Sequence, residues 1–417
     1  MDKRIIFHVD VNSAYLSWEA AYRLQQGASL DLRTVPSAVG GNPETRRGII
    51  LAKSIPAKKY KIQTGETLFS AKQKCPDLII VSPNYDLYRQ CSEYLKRILT
   101  AYSPLIQQFS VDEFFLDFSG MEKLWGDPLS TAYQLKETIK EELGFTVNIG
   151  ISSNKLLAKM GSELEKPDKV HTLFPEEIPT KMWPLPVEEL FGVGRATSQK
   201  LRDRGIKTIG DLAQEDPTYL KRFLKSYGIL LWNYANGRDN SPIIENKAIP
   251  IKGLGNSTTI PFDVDDRRTA QLVLLSLAET VGMRLRRNGF CAGLVSVSIK
   301  TSDFLYFSHQ KKLYLPVDCT SAIHATACAL LDELWHGQPL RHMGLRVSDL
   351  CASDFFQPSF FEQSLEKQKR IDKAIDSIRL KYGAGAVFRS AFLHSGLKPL
   401  SGGVIEFEEY PMMTSIL

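Results

Sequence analysis

The stretch "FSVDEFFLD" at 109–117 restricts the fold of this chain more than any other. Its aromatic and aliphatic side chains call for a buried strand, yet Asp112 and Glu113 stand side by side within it. Carboxylates are rarely buried without a partner. The chain must either turn at the pair and expose it, or bring a cation to meet it.

What can reach the pair follows from the order of elements. "IIFHVD" at 5–10 is apolar on both faces apart from His8, as in a strand central in a sheet. A helix is expected from Ser13 to about Gln25, ended by Gly27. Residues 31–80 break into short elements at "VGGNPETRRG" and "SIPAKKYKIQTGE". A helix over 85–102 leads into the acidic stretch, and Ser130–Leu143 reads as another. "FTVNIGIS" then reads as a buried strand. "NKLLAKMGSELEK" follows as a helix with Leu156, Leu157, Met160 and Leu164 on one face, closed by Pro167. This succession fits an α+β split β-α-β sheet with helices on one face. Asp10 would end a central strand, with Asp112 and Glu113 at the tip or edge of the neighbouring hairpin.

After Pro175 the expected helices are short. "LFGVGRATSQKLRDRGIKTIGDLA" has a helix-turn pattern in which Gly192 and Gly194 flank Val193. "NGRDNSPIIENK" (236–247) reads as a linker. From Ile249 to about Leu350, "LVSVSIKTS", "QKKLYLPV" and "MGLRVSDL" read as strands and alternate with two helical runs, a second α+β unit. The last segment holds "FFQPSFFEQ" and a charged helix with Ile371, Ala374, Ile375, Ile378 and Tyr382 on one face.

Composition narrows the class. The 417 residues allow roughly two to four domains, and no apolar run approaches the ~18–20 residues of a membrane span. The start runs directly into a strand without a leader pattern, so a cytoplasmic protein is expected. Six cysteines without a C-x-x-C pair argue against a disulfide frame or zinc site. The net charge is only +5, but residues 42–74 carry eight bases against two acids, a local +6. Such a cluster suits a polyphosphate or nucleic-acid partner, and equally a solvated face.

Carboxylates held together repel unless a cation lies between them. Hard oxygen donors favour Mg²⁺, which keeps positions open for phosphates. Asp10, Asp112 and Glu113 could hold two such ions for phosphoryl transfer, or could be a strand terminus and a polar turn. The helix start after Asp10 suits an anion, and Lys58 and Lys155 supply point charges for phosphates. The amides of the "GVG" turn at 192–194 could meet a phosphodiester. A metal-dependent enzyme acting on nucleotides with nucleic acid present follows.

"FHVDVNSAYLSWEA", "SVDE" at 110–113 and "GISSNKLLAKMGSELEKPD" resemble the motifs of Y-family, lesion-bypass DNA polymerases, in the bacterial branch that includes UV-damage-repair polymerases. The likeness keeps its order through "RRGIILAKSIPAKKY", "ELFGVGRATSQKL" and "IDKAIDSIRLKYG" and covers nearly the whole chain. It implies a right-hand polymerase: a ferredoxin-like palm (1–19 and 81–170), small fingers (20–80) and a helical thumb with a helix-hairpin-helix (171–238). A linker (239–247), an α+β little finger (248–352) and a C-terminal tail (353–417) would complete it. Asp10, Asp112 and Glu113 match the catalytic carboxylates, with the Val11 carbonyl a further ligand to one of two Mg²⁺ ions, for which Mn²⁺ could substitute. Asn12, Ser13, Tyr15, Lys58 and Lys155 match the nucleotide site, with Tyr15 as the steric gate against a ribose 2′-OH. Gly192, Val193, Gly194, Arg284, Arg286 and Arg287 are the expected DNA contacts. Gln357, Phe360 and Phe361 resemble a sliding-clamp peptide, whose paired aromatics suit an apolar groove.

There are departures. Ile55 and Lys58 stand where the family usually has Tyr and Arg, so the bidentate fork of arginine is missing. Ala14 replaces a bulky residue before the gate. The resemblance implies a monomeric translesion polymerase acting in damage tolerance and the SOS response, with primer-template DNA and deoxyribonucleoside triphosphates as substrates. It would have no membrane partner, and would associate with the nucleoid when recruited. The rivals are a non-catalytic DNA-binding repair factor that keeps the fold, and a palm-type nucleotide cyclase. Loss of one carboxylate would favour the former; the latter needs neither the GVG segment nor a second α+β unit.

Overall fold

The computed structural model describes residues 4–46, 48–245, 250–353 and 363–400. They form two compact units, one built on residues 4–41 and 49–245, the other on 250–353 and 363–400 together with the short stretch 42–46 and 48.

In the first unit β1 (Ile6–Val11) is buried at every position. It lies at the centre of a five-stranded sheet ordered β5-β6-β1-β7-β8. β5 (Ile106–Gln108) and β6 (Glu113–Asp117) form the hairpin, and β7 (Val147–Ser152) runs antiparallel to β1 on the other side. β8 (Val170–Thr172) closes the sheet parallel to β7. Phe7, Val9 and Val11 share a core with α1 (Ala14–Gln25), α2 (Tyr85–Tyr102) and the helix Pro128–Leu143. Phe7, Phe114, Phe115 and Phe118 are fully buried, worth about 1.5–3 kcal/mol apiece. A one-residue slip of β6 would turn these rings to the wrong faces, so their burial fixes the register at the acids.

Alternation along β1 turns Ile6, His8 and Asp10 the other way. There α3 (Lys155–Glu163) covers the sheet: Ala158 packs with Ile6 and Phe115, and Ser162 bonds His8. Helices therefore flank this sheet on both faces, not on one as expected. Gly150 permits it, because a Cβ on β7 there would lie 1.9 Å from the Ala158 carbonyl oxygen.

A smaller sheet, β2 (Ser37–Gly40), β3 (Ile50–Lys53) and β4 (Ile79–Val81) in the order β3-β2-β4, has its own core around Ile50, Ile62 and Leu78. Past Pro175 the helices Arg195–Arg202, Ile209–Gln214, Pro217–Leu224 and Ser226–Ala235 pack with Leu156, Leu157 and Met160 of α3. The apolar face expected for α3 is thus used against this helical segment.

The second unit is an antiparallel sheet of β9 (Gly253–Val264), β10 (Phe290–Thr301), β11 (Tyr306–Val317) and β12 (Leu340–Ala352), ordered β11-β10-β12-β9. α4 (Arg267–Arg287) and α5 (Thr320–Leu334) share its core. β9 was not expected: "GLGNSTTIPFDV" is rich in residues depleted from strands. It forms because β12 supplies a continuous partner from Ser348 to His342, with pairing resumed after an irregularity at Leu340.

α6 (Gln363–Tyr382) belongs to this unit and turns charged residues, not the apolar ones, inward. Ile371, Ile378 and Tyr382 are exposed, whereas Asp372, Asp376 and Arg379 are buried. Arg286 meets Asp376 through Nε (2.6 Å) and Nη2 (3.0 Å), and Asp372 through Nη1 (3.3 Å). Arg379 donates to Glu279 at 2.6 Å, and Arg389 shares that carboxylate. Removing one partner of a buried pair strands the other. Arg286→Ala should therefore destabilise this unit by about 3–5 kcal/mol, seen as an earlier transition in urea melts. Among the described residues no helix is long and apolar enough to cross a membrane.

Candidate active site

The register of the central strands sets Asp10 directly opposite Glu113, at the end of β1 and the start of β6. The turn before β6 is closed by the Phe109 and Ser110 amides on the Glu113 carbonyl (2.9 and 3.2 Å). The Val11 amide donates to the Asp112 carbonyl at 3.1 Å, which ties the turn to β1. Ser110 Oγ donates to Asp112 Oδ1 at 2.5 Å. Among the described residues, carboxylate oxygens of Asp10, Glu113 and Glu163 lie within 4.8 Å of one another. Glu163, on α3, was not foreseen; Asp112 lies outside that trio.

Two ammonium groups meet these acids. Lys166 Nζ lies 2.5 Å from Asp10 Oδ2 and 2.8 Å from Glu163 Oε2. Lys159 Nζ lies 2.7 Å from Glu113 Oε2. Burial pushes Asp10 up to about 7, although Lys166 opposes it. Burial also works to raise Glu113, but the charges and hydrogen bonds of His8 and Lys159 outweigh it and hold the group at about 2. His8 is fully buried, with Nδ1 2.7 Å from Ser162 Oγ and Nε2 3.6 Å from Glu113 Oε2. Burial first and Lys159 second bring His8 down to about 4. It is neutral at pH 7, so Lys159 supplies the positive charge beside Glu113. Burial, opposed by Ser110 and aided by Glu113, raises Asp112. The donor set is hard and anionic and runs from buried Asp10 through half-buried Asp112 and Glu113 to exposed Glu163, which fits a divalent cation of the Mg²⁺ type with open positions towards solvent.

The other expected site residues divide. Tyr15, the second residue of α1, stacks on Tyr88 with ring centroids 4.5 Å apart. Its phenol is raised by burial and next by the charge of Asp112. Ser13 takes a left-handed backbone (φ 49°) and opens α1 without a side-chain cap, leaving that helix start to other acceptors. Lys58 ends the short helix Ile55–Lys58, exposed. Burial first and the charge of Lys58 second lower Lys53, a base that sequence reasoning did not single out.

Lys155 requires correction. Its Nζ donates to Gln107 Oε1 (2.9 Å) and the Pro242 carbonyl (3.4 Å) beneath the Phe115 ring, and the residue is 3% exposed. Lys166 holds the place by the acids that was expected of it. Asn12 is also a structural group: its Nδ2 donates to Asn148, and its Oδ1 accepts from Thr146 Oγ1 and the Asp168 amide. Arg286 is held by Asp372 and Asp376, and Arg284 donates to the Gly255 carbonyl and Asn256 Oδ1, so both serve the fold. Arg287 is exposed on the last turn of α4. Gly192 has φ +93° and accepts the Tyr227 hydroxyl at its carbonyl. The Val193 and Gly194 amides close on the Leu190 and Gly192 carbonyls, so these two are engaged within the turn that leads into Arg195–Arg202. Gln357, Phe360 and Phe361 lie outside the described residues.

His8, Lys159, Glu163 and Lys166 carried a faint signal. His8 shares the face of Asp10 two residues on, and Lys159 and Glu163 lie four apart on one helix.

Comparison with known proteins agrees with this geometry. The impB/mucB/samB family model matches residues 9–163, its C-terminal domain model 251–360, and the IMS family HHH motif 175–206. The chain is 46% identical over 396 residues to DNA polymerase IV of Clostridium acetobutylicum, covering 94% of this chain and 98% of the relative. It is 39% identical to DNA polymerase IV of Acetivibrio thermocellus, with the same coverage of both chains. With DNA polymerase IV 2 of Bacillus subtilis it shares 34% identity, over 94% of this chain and 95% of the other. A solved Y-family DNA polymerase chimera superposes with a TM-score of 0.69 at 20% identity, over 84% of this chain and 99% of that one.

Proposed function

Since the chain belongs to the impB/mucB/samB family of Y-family DNA polymerases and is a DNA-directed DNA polymerase, we propose that it is of the translesion type, extending primers past damaged template bases with two Mg²⁺ ions. The observation that carries this reading is the pairing of Asp10 with Glu113 across the central strands. Asp10, Asp112, Glu113 and the Val11 carbonyl would hold the ions, with Glu163 at their edge. Bound there, the ions supply charge to activate the primer hydroxyl and to stabilise the leaving phosphates.

The protein's own groups do the rest. Lys159 keeps Glu113 ionised and oriented. Lys166 balances Asp10 and Glu163, and its ammonium is a point charge for a triphosphate, as are Lys53 and Lys58. Tyr15 presents a ring where a ribose 2′-OH would come. The first-turn amides of Arg195–Arg202 and the side chain of Arg287 meet the DNA backbone without regard to sequence. The peptide 357–361 docks the sliding clamp.

Primer extension on undamaged and lesion-bearing templates, with and without clamp, tests the reading. Synthesis should continue past the lesion, and clamp should raise the yield only when 357–361 is intact. Failure at every lesion alongside normal extension of undamaged template would defeat the translesion assignment.

The elevated Asp10 gives a pH prediction. Below about 7 the ion-free carboxyl holds a proton that a cation must displace. Mg²⁺ affinity, read by calorimetry, should therefore rise with pH through that value and then level. The folded state binds this proton more tightly than the unfolded chain, so ion-free protein should lose stability as pH rises from about 4 towards 7.

A further inference from the structure

We propose that Tyr88 is a positioning residue for sugar selection, its ring fixing the plane and depth of the Tyr15 ring. The inference rests on the reading of Tyr15 as the gate. The two rings are nearly parallel, 12° apart with centroids at 4.5 Å. Tyr15 is half-buried, whereas Tyr88 is completely buried. The gate ring therefore has solvent and substrate on one side and a packed wall on the other.

That wall is itself pinned. Tyr88 Oη donates to Glu19 Oε1 at 2.9 Å. Glu19 is only 4% exposed and lies one turn beyond Tyr15 on the same helix, α1. Tyr88 comes from α2, so a ring on one helix and a carboxylate on another close a circuit through the stack. A hydrogen bond to a carboxylate is stronger than a neutral one, and fewer competing partners reach a buried one. Trp18 (5.9 Å from Tyr15, 5.8 Å from Tyr88) and Tyr85 (6.3 and 5.8 Å) close the flanks.

A 2′-hydroxyl that presses on Tyr15 is resisted only as far as that ring cannot retreat. Packing against Tyr88 removes the retreat, since the interior behind it is close-packed. Discrimination between the sugars thus depends on a residue that touches no substrate.

The measurement is the ratio of kcat/KM for a deoxyribonucleotide to that for its ribonucleotide, on one primer-template, with folding checked by circular dichroism melts. Tyr88→Leu should lower the ratio by roughly three- to tenfold, as loss of one aromatic stack implies. Tyr88→Phe keeps the ring and should retain the ratio. Tyr85→Ala, at an exposed position of the same cluster, leaves the core intact and should lower the ratio by about twofold. Tyr15→Ala separates the two ideas. If it leaves the ratio unchanged, the gate reading fails and this inference with it. If it lowers the ratio while every folded variant among Tyr88→Leu and Tyr85→Ala keeps it, or loses both sugars equally, the positioning role alone is overturned.

Discussion

Asp10→Asn should lower primer extension by roughly a thousandfold or more, with DNA binding and the melting temperature preserved. Asparagine keeps the shape of the side chain but removes the anionic oxygen that faces Glu113 across the sheet. The loss falls on a group that would hold the cation at the reacting phosphate, where a preorganised charge has its largest effect. The fold should tolerate the change, because Asp10 is 6% exposed and burial already disfavours its charge. Lys166 keeps its second carboxylate, Glu163. Single-nucleotide incorporation measured beside fluorescence anisotropy on the same primer-template decides the matter. Extension within about tenfold of the parent would remove Asp10 from the reaction.

Tyr15→Ala should increase ribonucleotide incorporation relative to deoxyribonucleotide by roughly a hundredfold, the scale on which a pocket rejects one added hydroxyl. The ring is held for this by its stack on Tyr88. Competition between the two sugars on undamaged template reads the effect. The signature is a gain for the ribonucleotide with little change for its competitor, since the substitution opens space and breaks no bond to the base or phosphates. An unchanged preference would transfer the gate elsewhere.

Legibility differed by kind of feature. β1 and the hairpin were readable as short continuous apolar runs, the helix Tyr85–Tyr102 from its one-sided apolar pattern, and the acids because they interrupt such a run. The lysines were harder. Lys155, Lys159 and Lys166 share one short stretch, and only the path of α3 over Gly150 decides which meet the acids. Asn12 had the right type beside Asp10, but the Asn148 and Thr146 partners that occupy it come from a strand more than a hundred residues away. β9 was hidden because its pairing with β12 overrides weak local preference. The inner face of α6 was not legible because the pairing of Asp372 and Asp376 with Arg286 decides it, and that partner lies on a distant helix.

The ion pairs of α6 also tie the end of the second unit to its middle. Arg286 and Glu279 of α4 hold Asp372, Asp376, Arg379 and Arg389, which lie 86 to 110 residues further along the chain. Closing spans of that length costs chain entropy that only the finished sheet and helices offset. A chain cut before Gln363 would leave Arg286 and Glu279 without these buried partners, so residues 363–400 are part of what folds and no dispensable appendage.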